Sequence, residues 1–426
     1  MAKTTLTPLQ KLGKTLLSNM LTRFIQVGTL RLIDSNEEVT EFKGTENPVV
    51  TVRMTDPNLP LKLFRNPDLY AGESYMDGTM AFEDGSTLKD FLGLFSLNRR
   101  SMASYPLQQV LRKTWRILRG IQQHNPIGKA QKNVAHHYDL SAELYKLFLD
   151  EDMQYSCAYF EDGNETLEQA QEKKKRHLAA KLKLEDGQRI LDIGCGWGGL
   201  ALDLAKHANV EILGVTLSEE QHKIAVERAE AEGLSDRVKF ELLDYRKVKG
   251  PFDRIISVGM FEHVGTTRYD EFFKHVYDLL NDDGIALLHS IGHMSPPSTT
   301  SPWIRKYIFP GGYSPAMSEV FSATERQRLW VSDVEVLRVH YADTLAEWNK
   351  RFQNNRDKIS DLYDERFCRM WEFYLTTCEM TFRTGPQMVF QMQLARTRDA
   401  AGLTRDYIFE TEQKLKALEN KQKKAA

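Results

Sequence analysis

The sequence predicts an α/β fold: a doubly wound, mostly parallel sheet with a smaller N-terminal α+β domain. Three observations predict it. Strand-like and helix-like runs alternate after Ala135. An apolar run ending in Asp192 meets a glycine-rich turn that opens a helix. The length of 426 residues also exceeds what one hydrophobic core usually holds. The expected domains are 1–125 and 126–426.

The strands of the larger domain are read at Arg189–Ile193, Val210–Thr216, Val238–Leu243, Asp253–Val258 and Ile285–Ser290. Helices are read between them at Leu200–Ala208, Glu219–Glu232 and Tyr269–Leu280. Ser218 with Glu220 and Gln221 signals a helix start, and Gly233 and Gly284 signal stops. In sheets of this kind ligands sit at the carboxyl ends of the strands.

Asp192-Ile-Gly-Cys-Gly-Trp-Gly-Gly199 lies at such an end. Glycines let a ligand approach the backbone, and the following helix aims N–H groups at it. A nucleotide-like ligand is therefore expected, with Asp192 as a carboxylate beside the loop. A dinucleotide site places an acidic residue about 20 positions after the loop, but the second strand ends in Thr216. The third strand instead leads into Asp244 and Tyr245, which suit an exocyclic adenine amine and the face of its ring. There is no G-x-x-x-x-G-K-[ST] run, which disfavours an NTP-hydrolysing site.

In the N-terminal part, Leu9, Leu12, Leu16, Leu17, Met20, Leu21 and Phe24 form one stripe of an amphipathic helix. Packing into its own domain is favoured over lying on a bilayer. Short runs at Thr29–Ile33 and Val49–Arg53 predict a small sheet. From Phe91 to Tyr138 there is no acidic residue, while Arg99, Arg100, Arg112, Lys113, Arg116, Arg119, Lys129 and Lys132 alternate with Val110, Leu111, Trp115, Leu118 and Ile121. Two readings stand: a solvated helix packed on a domain, or a surface for anionic phospholipid headgroups. Nucleic acid is disfavoured, because the recognition modules are missing and the net charge is -2. The chain has 41% apolar and 27% charged residues, as soluble globular proteins do. Its four cysteines lack metal-ligand spacing and fit a reducing cytoplasm. No run is apolar enough for a membrane span, and Lys11, Lys14 and Arg23 argue against a signal peptide. Membrane contact is therefore expected to be peripheral.

The glycine spacing from Asp192 to Gly198 resembles that of class I methyltransferases, which have a Rossmann-like fold and use S-adenosylmethionine (SAM). Longer segments narrow the likeness. Tyr155-Ser-Cys-Ala-Tyr-Phe160, Leu191–Gly199, Gly214-Val-Thr-Leu-Ser218 and Val258-Gly-Met-Phe-Glu-His-Val-Gly265 resemble signature segments of the cyclopropane fatty acid synthase family. So do Leu288-His-Ser-Ile-Gly292, Trp303-Ile-Arg-Lys-Tyr-Ile-Phe-Pro-Gly311 and Tyr374-Leu-Thr-Thr-Cys378. The likeness runs from about His136 into the last hundred residues and is looser before that.

The resemblance implies methylene transfer from SAM to the cis double bond of an unsaturated phospholipid acyl chain, with S-adenosylhomocysteine (SAH) as by-product. It implies a bound bicarbonate as base, with Cys157, Glu262, His289, Ile291 and Tyr341 as its ligands. Cofactor contacts are implied at Tyr155, Ser156, Asp192, Gly194, Cys195, Gly196, Gly198, Thr216, Leu217, Gln221, Asp244 and Tyr245, and no metal. Cys378 matches a cysteine assigned to the active site, although its apolar helical surroundings suit core packing equally. Cys157 and Cys195 have no base partner in the sequence and are not expected to be nucleophiles. A lipid-associating N-terminal domain, a peripheral place on the inner face of the cytoplasmic membrane and a homodimer are also implied; two membrane-binding domains would gain by avidity. Rival expectations are a fatty acid C-methyltransferase without ring closure, a non-catalytic lipid binder, and an NAD-dependent dehydrogenase.

Overall fold

The computed structural model describes residues 5–103 and 140–425. The basic stretch from residue 104 on and the linker Asn125–Gly128 lie outside the described residues. The chain forms two compact units, Met1–Arg119 with Thr299–Phe309 and Leu345–Gly385, and the remainder. A single cut at 125 therefore misplaces two later segments.

In the first unit, strands β1 (Thr29–Ile33), β2 (Val39–Lys43), β3 (Val49–Met54) and β4 (Met80–Glu83) form a sheet of order β2-β1-β3-β4. Helix Pro8–Phe24 starts at a capping box in which Thr7 and Gln10 satisfy each other's backbone N–H. Leu17, Leu21 and Phe24 are buried, whereas Leu9 and Leu12 are exposed. The expected stripe thus packs only through its second half. Helix Glu365–Thr384 buries Trp371, Phe373, Tyr374, Leu375 and Phe382. Its Glu379 is buried and pairs with Lys89 at 2.7 Å. Trp303 lies edge-on to Phe373 at 4.7 Å, and its indole donates to Met76 Sδ at 3.2 Å. These apolar faces explain why 299–309 and 345–385 fold with the N-terminal strands: neither can leave its tryptophans in water.

The second unit is built on strands β5 (Arg189–Ile193), β6 (Glu211–Thr216), β7 (Val238–Leu242), β8 (Phe252–Val258), β9 (Leu280–His293), β10 (Trp330–Leu337) and β11 (Gln387–Ala395). Their order is β10-β11-β9-β8-β5-β6-β7. β5 to β9 are mutually parallel, and β11 is antiparallel to both β9 and β10. The doubly wound expectation holds, with β10 and β11 as an extension that the sequence reading lacked. Alternate residues enter opposite cores: Leu191 and Ile193 face one, Ile190 the other. Helices Gly199–His207 and Glu219–Ala231 bury their apolar stripes on the second core, and helix Tyr269–Leu279 on the first. Among the described residues no helix is long and apolar enough to cross a membrane.

Phe390 in β11 is fully buried in the first of these cores. Phe390→Ala is expected to cost about 3–5 kcal/mol, the usual range for a truncated core aromatic. A guanidinium midpoint equal to the parent's would show that β11 is not part of that core.

Candidate active site

The carboxyl edge of the parallel strands carries the site. β5 ends at Asp192 and Ile193, and the chain then turns through Gly194, Gly196 and Gly198, all with left-handed φ. At Gly196 a side chain would meet nothing, so the backbone there is open to a ligand. Gly198 differs: a Cβ would press into Phe240 and Ala225, at 2.7 and 3.1 Å. Gly198 thus serves helix packing and does not line the cleft.

The other expected cofactor residues do line one cleft: Tyr155, Ser156, Asp192, Gly194, Cys195, Gly196, Thr216, Leu217, Gln221, Asp244 and Tyr245. Met153, Gln154, Trp197, Arg246, Met260 and His263 join them. Each strand end supplies its part for a local reason. Ser218 caps helix Glu219–Ala231 by accepting from the Gln221 N–H, which turns Gln221 back over the end of β6. There Thr216 Oγ1 donates to Gln221 Oε1 at 3.0 Å. After β7, both oxygens of Asp244 accept from Arg246, at 2.8 and 2.6 Å. Burial raises the Asp244 pKa, but the Arg246 hydrogen bonds outweigh it and hold the carboxyl below its usual value. Arg246 was not anticipated from sequence, although its position two residues after Asp244 is that of a local side-chain pair.

Asp192 is buried, and its Oδ2 has no hydrogen-bond partner. Burial pushes its pKa up to about 7. A buried carboxylate oxygen without a donor is costly, and an ammonium group of a bound ligand would satisfy it. With open backbone at Gly196, the residues present fit SAM.

A second group gathers past the end of β8. In register β8 stops at Val258 opposite His289, and the Gly259 N–H still reaches the His289 carbonyl at 2.9 Å. β9 runs on to His293, so the Ile291 N–H has no β8 partner. Glu262, in the short turn Phe261–His263, supplies one: its Oε1 accepts from Ile291 N–H at 2.6 Å. Glu262 Oε2 is buried and without a partner. Burial raises Glu262 to about 7 and lowers its neighbour His263 to about 4. His289 lies two residues before Ile291, so both side chains share one face of the strand. Burial drives His289 well below its ordinary value, so the ring is neutral. Its cross-strand partner is Gln391, whose Nε2 lies 3.3 Å from His289 Nδ1. Gln391 was missed because its relation to His289 exists only through strand register.

Cys157 and Tyr341 form a third group. Ala158 N–H donates to Thr344 Oγ1 at 3.0 Å, on the first turn of helix His340–Asn354, which also carries the buried Tyr341. Cys157 Sγ donates to the Ala158 carbonyl at 3.3 Å. Burial raises the thiols of Cys157 and Cys195, so neither is a thiolate near neutral pH. Cys378 sits on helix Glu365–Thr384 of the first unit, and burial pushes its thiol up to about 12. It too is a neutral thiol.

Residues 126–392 match the family model for mycolic acid cyclopropane synthetase. The chain is 39% identical over 347 residues to the cyclopropane-fatty-acyl-phospholipid synthase of Escherichia coli, covering 81% of this chain and 87% of that one. It is 34% identical over 405 residues to the tuberculostearic acid methyltransferase of Mycobacterium tuberculosis, covering 91% and 93%. A mycolic acid cyclopropane synthase solved with SAH and CTAB superposes with a TM-score of 0.60 at 34% identity, covering 64% of this chain and 99% of that one. A coclaurine N-methyltransferase at 22% identity, TM-score 0.62, shares the fold. The class I fold, the donor-shaped cleft and these relatives agree: the chain is a SAM-dependent methyltransferase and belongs to the mycolic acid cyclopropane synthetase family.

Proposed function

We propose that the protein transfers a methylene group from SAM to the cis double bond of an unsaturated phospholipid acyl chain and closes a cyclopropane ring, with bicarbonate as the base. One observation carries the reading: Glu262 Oε2 is buried without a hydrogen-bond partner while its Oε1 accepts from the Ile291 N–H, two residues along β9 from the neutral His289. When bound, SAM supplies a sulfonium methyl that the alkene π pair can take as the C–S bond breaks, and bicarbonate accepts the proton whose loss closes the ring. The chain's own residues hold these reactants. The ring N–H of neutral His289, and the Ile291 N–H when Glu262 yields it, are donors for a small anion. Glu262 in its ionised form accepts the anion's O–H. Tyr341 and the Cys157 thiol offer further hydrogen-bond groups, and the Tyr341 ring suits a nearby cation. Asp192, Ser156 and Tyr155 are read as contacts for the amino-acid end of SAM, and Asp244 with Tyr245 for adenine.

Membrane contact is proposed to be peripheral, at the cytoplasmic face, through the first unit and the basic stretch after residue 91. Truncation at 125 is not a clean test of this, because it would remove the partners of Trp303 and Glu379. A homodimer belongs to the same proposal.

The relative named for tuberculostearic acid spans 91% of this chain, so a branched product without a ring is the second reading. Incubation with SAM and unsaturated phospholipid vesicles decides between them. The expected product gains one CH2, resists hydrogenation and shows cyclopropyl protons by NMR. A methyl branch or methylene signal in their place would establish the second reading, and no mass gain would sink both.

Glu262 yields a prediction in which activity and stability move in opposite directions. Its native pKa of about 7 lies above the usual 4.5, so the folded state binds the extra proton. Its stability contribution is present at low pH and is lost as pH rises through about 7. Glu262→Gln should therefore raise the unfolding midpoint at about pH 8, with the difference closing toward about pH 5. The same variant should lose about 100-fold or more in kcat, the usual scale for a lost acid–base partner. The parent's activity should fall below about pH 7, as the ionised form disappears, and bicarbonate dependence should vanish in the variant. Retained bicarbonate dependence would remove Glu262 from the anion site.

A further inference from the structure

Helix Leu167–Lys181 contains Gln171-Glu-Lys-Lys-Lys-Arg-His177, a run that reads as a solvated face. The fold buries it instead: Gln171 is 1% exposed and Lys174 0%. The two lie one turn apart on the same helix face, and both clamp the loop that walls the cofactor cleft. Gln171 Nε2 donates to the backbone carbonyls of Gln154 and Ser156, at 3.3 and 3.0 Å. Lys174 Nζ donates to Gln154 Oε1 at 2.6 Å and Ser156 Oγ at 2.8 Å.

The polarity of these contacts is fixed. An ammonium has three donors and no acceptor. Ser156 Oγ must therefore accept from Lys174, and the hydroxyl hydrogen must go elsewhere. Gln154 is locked in the same way, its oxygen on Lys174 and its Nε2 donating to Asp152 Oδ2 at 2.9 Å. Both residues line the cleft. Lys174 also forms no ion pair among the described residues; Asp150 and Asp152 act on it only through space. A fully buried ammonium held by neutral oxygens alone is expensive. Gln171 already secures the loop backbone, so the shape of the loop does not account for Lys174.

We infer that Lys174 is a positioning residue for SAM: it turns the Ser156 hydroxyl so that its hydrogen points into the cleft and donates to the cofactor's amino-acid carboxylate. The inference rests on the reading of Ser156 as a cofactor contact.

The test is a double-mutant cycle on the full chain, with SAH affinity measured by calorimetry. Ser156→Ala and Lys174→Met are each expected to weaken SAH about tenfold, and the double variant is expected to match Ser156→Ala within about twofold. KM for SAM should rise while kcat stays within about threefold, which is the signature of ground-state binding. Thermal unfolding without ligand shows whether Lys174→Met folds; if it does not, Lys174→Gln, which keeps a neutral donor, replaces it and should retain part of the affinity. Equal weakening by the lysine substitution in both backgrounds would overturn the coupling while leaving Ser156 as a contact. A Ser156→Ala protein with unchanged SAH affinity would overturn both.

Discussion

The site depends on a mismatch in strand length. β9 continues past the end of β8, and every N–H on its exposed side then needs an acceptor. Glu262 is the acceptor for Ile291, and meeting that need draws a carboxylate out of water. The remaining oxygen is left buried without a donor, and the pKa climbs toward neutrality. A carboxylate that folding alone required could have been satisfied on both oxygens. This one is satisfied on one, by an N–H two residues along β9 from the neutral imidazole of His289, whose cross-strand partner is Gln391. On the proposed reading, the oxygen left without a donor is the one that would accept a small anion's O–H.

The same logic applies at the donor end of the cleft. Asp192 keeps one oxygen without a partner, and the buried Lys174, which acts on Asp192 only through space, has no ion pair among the described residues. On the proposed reading, the ammonium at the methionine end of SAM would complete Asp192, and its carboxylate would meet the Ser156 hydroxyl that Lys174 turns. A buried carboxylate oxygen without a donor, as at Asp192, is uncommon in a core built only for stability.

What could be read from the chain followed from whether its physical cause was local. Strands β5 to β9 were legible because each is an apolar run with a turn signal at its end, and the glycine loop because strand, turn and helix lie in sequence. β11 was not, since Gln391 and Gln393 interrupt its apolar pattern; their partners are His289, the Lys181 carbonyl and Tyr407. β10 is a mixed, half-exposed edge strand without clean alternation. The assignment of 299–309 and 345–385 to the first unit was hidden by chain order, although Trp303 and Trp371 could have flagged segments in need of a partner. Asp192, Thr216, Gln221 and Asp244 could be placed from residues alone. Glu262, His289 and Tyr341 needed the family resemblance, and Gln391 and Lys174 needed the fold.

Lys174 shows why composition misleads at such places. Five basic side chains of helix Leu167–Lys181, from Lys174 to Lys181, are at most 7% exposed. Four of them are matched by carboxylates: Lys175 by Asp152 and Asp203, Arg176 by Glu419, His177 by Glu335 and Glu412, and Lys181 by Glu335. The pairs of Arg176, His177 and Lys181 tie the helix to the C-terminal helix Asp406–Ala425 and to β10, and those of Lys175 tie it to the loop at Asp152 and to helix Gly199–His207. Lys174 is the exception on the same helix, under the same burial: its hydrogen bonds go to an amide and a hydroxyl, and Asp150, Asp152 and Asp192 act on it only through space. The neighbours act as an internal control: where the fold needed a buried cation for structure, it supplied an anion from the chain. At Lys174 it supplied an amide and a hydroxyl of the cleft wall in direct contact instead, which is the observation behind the positioning role proposed for it.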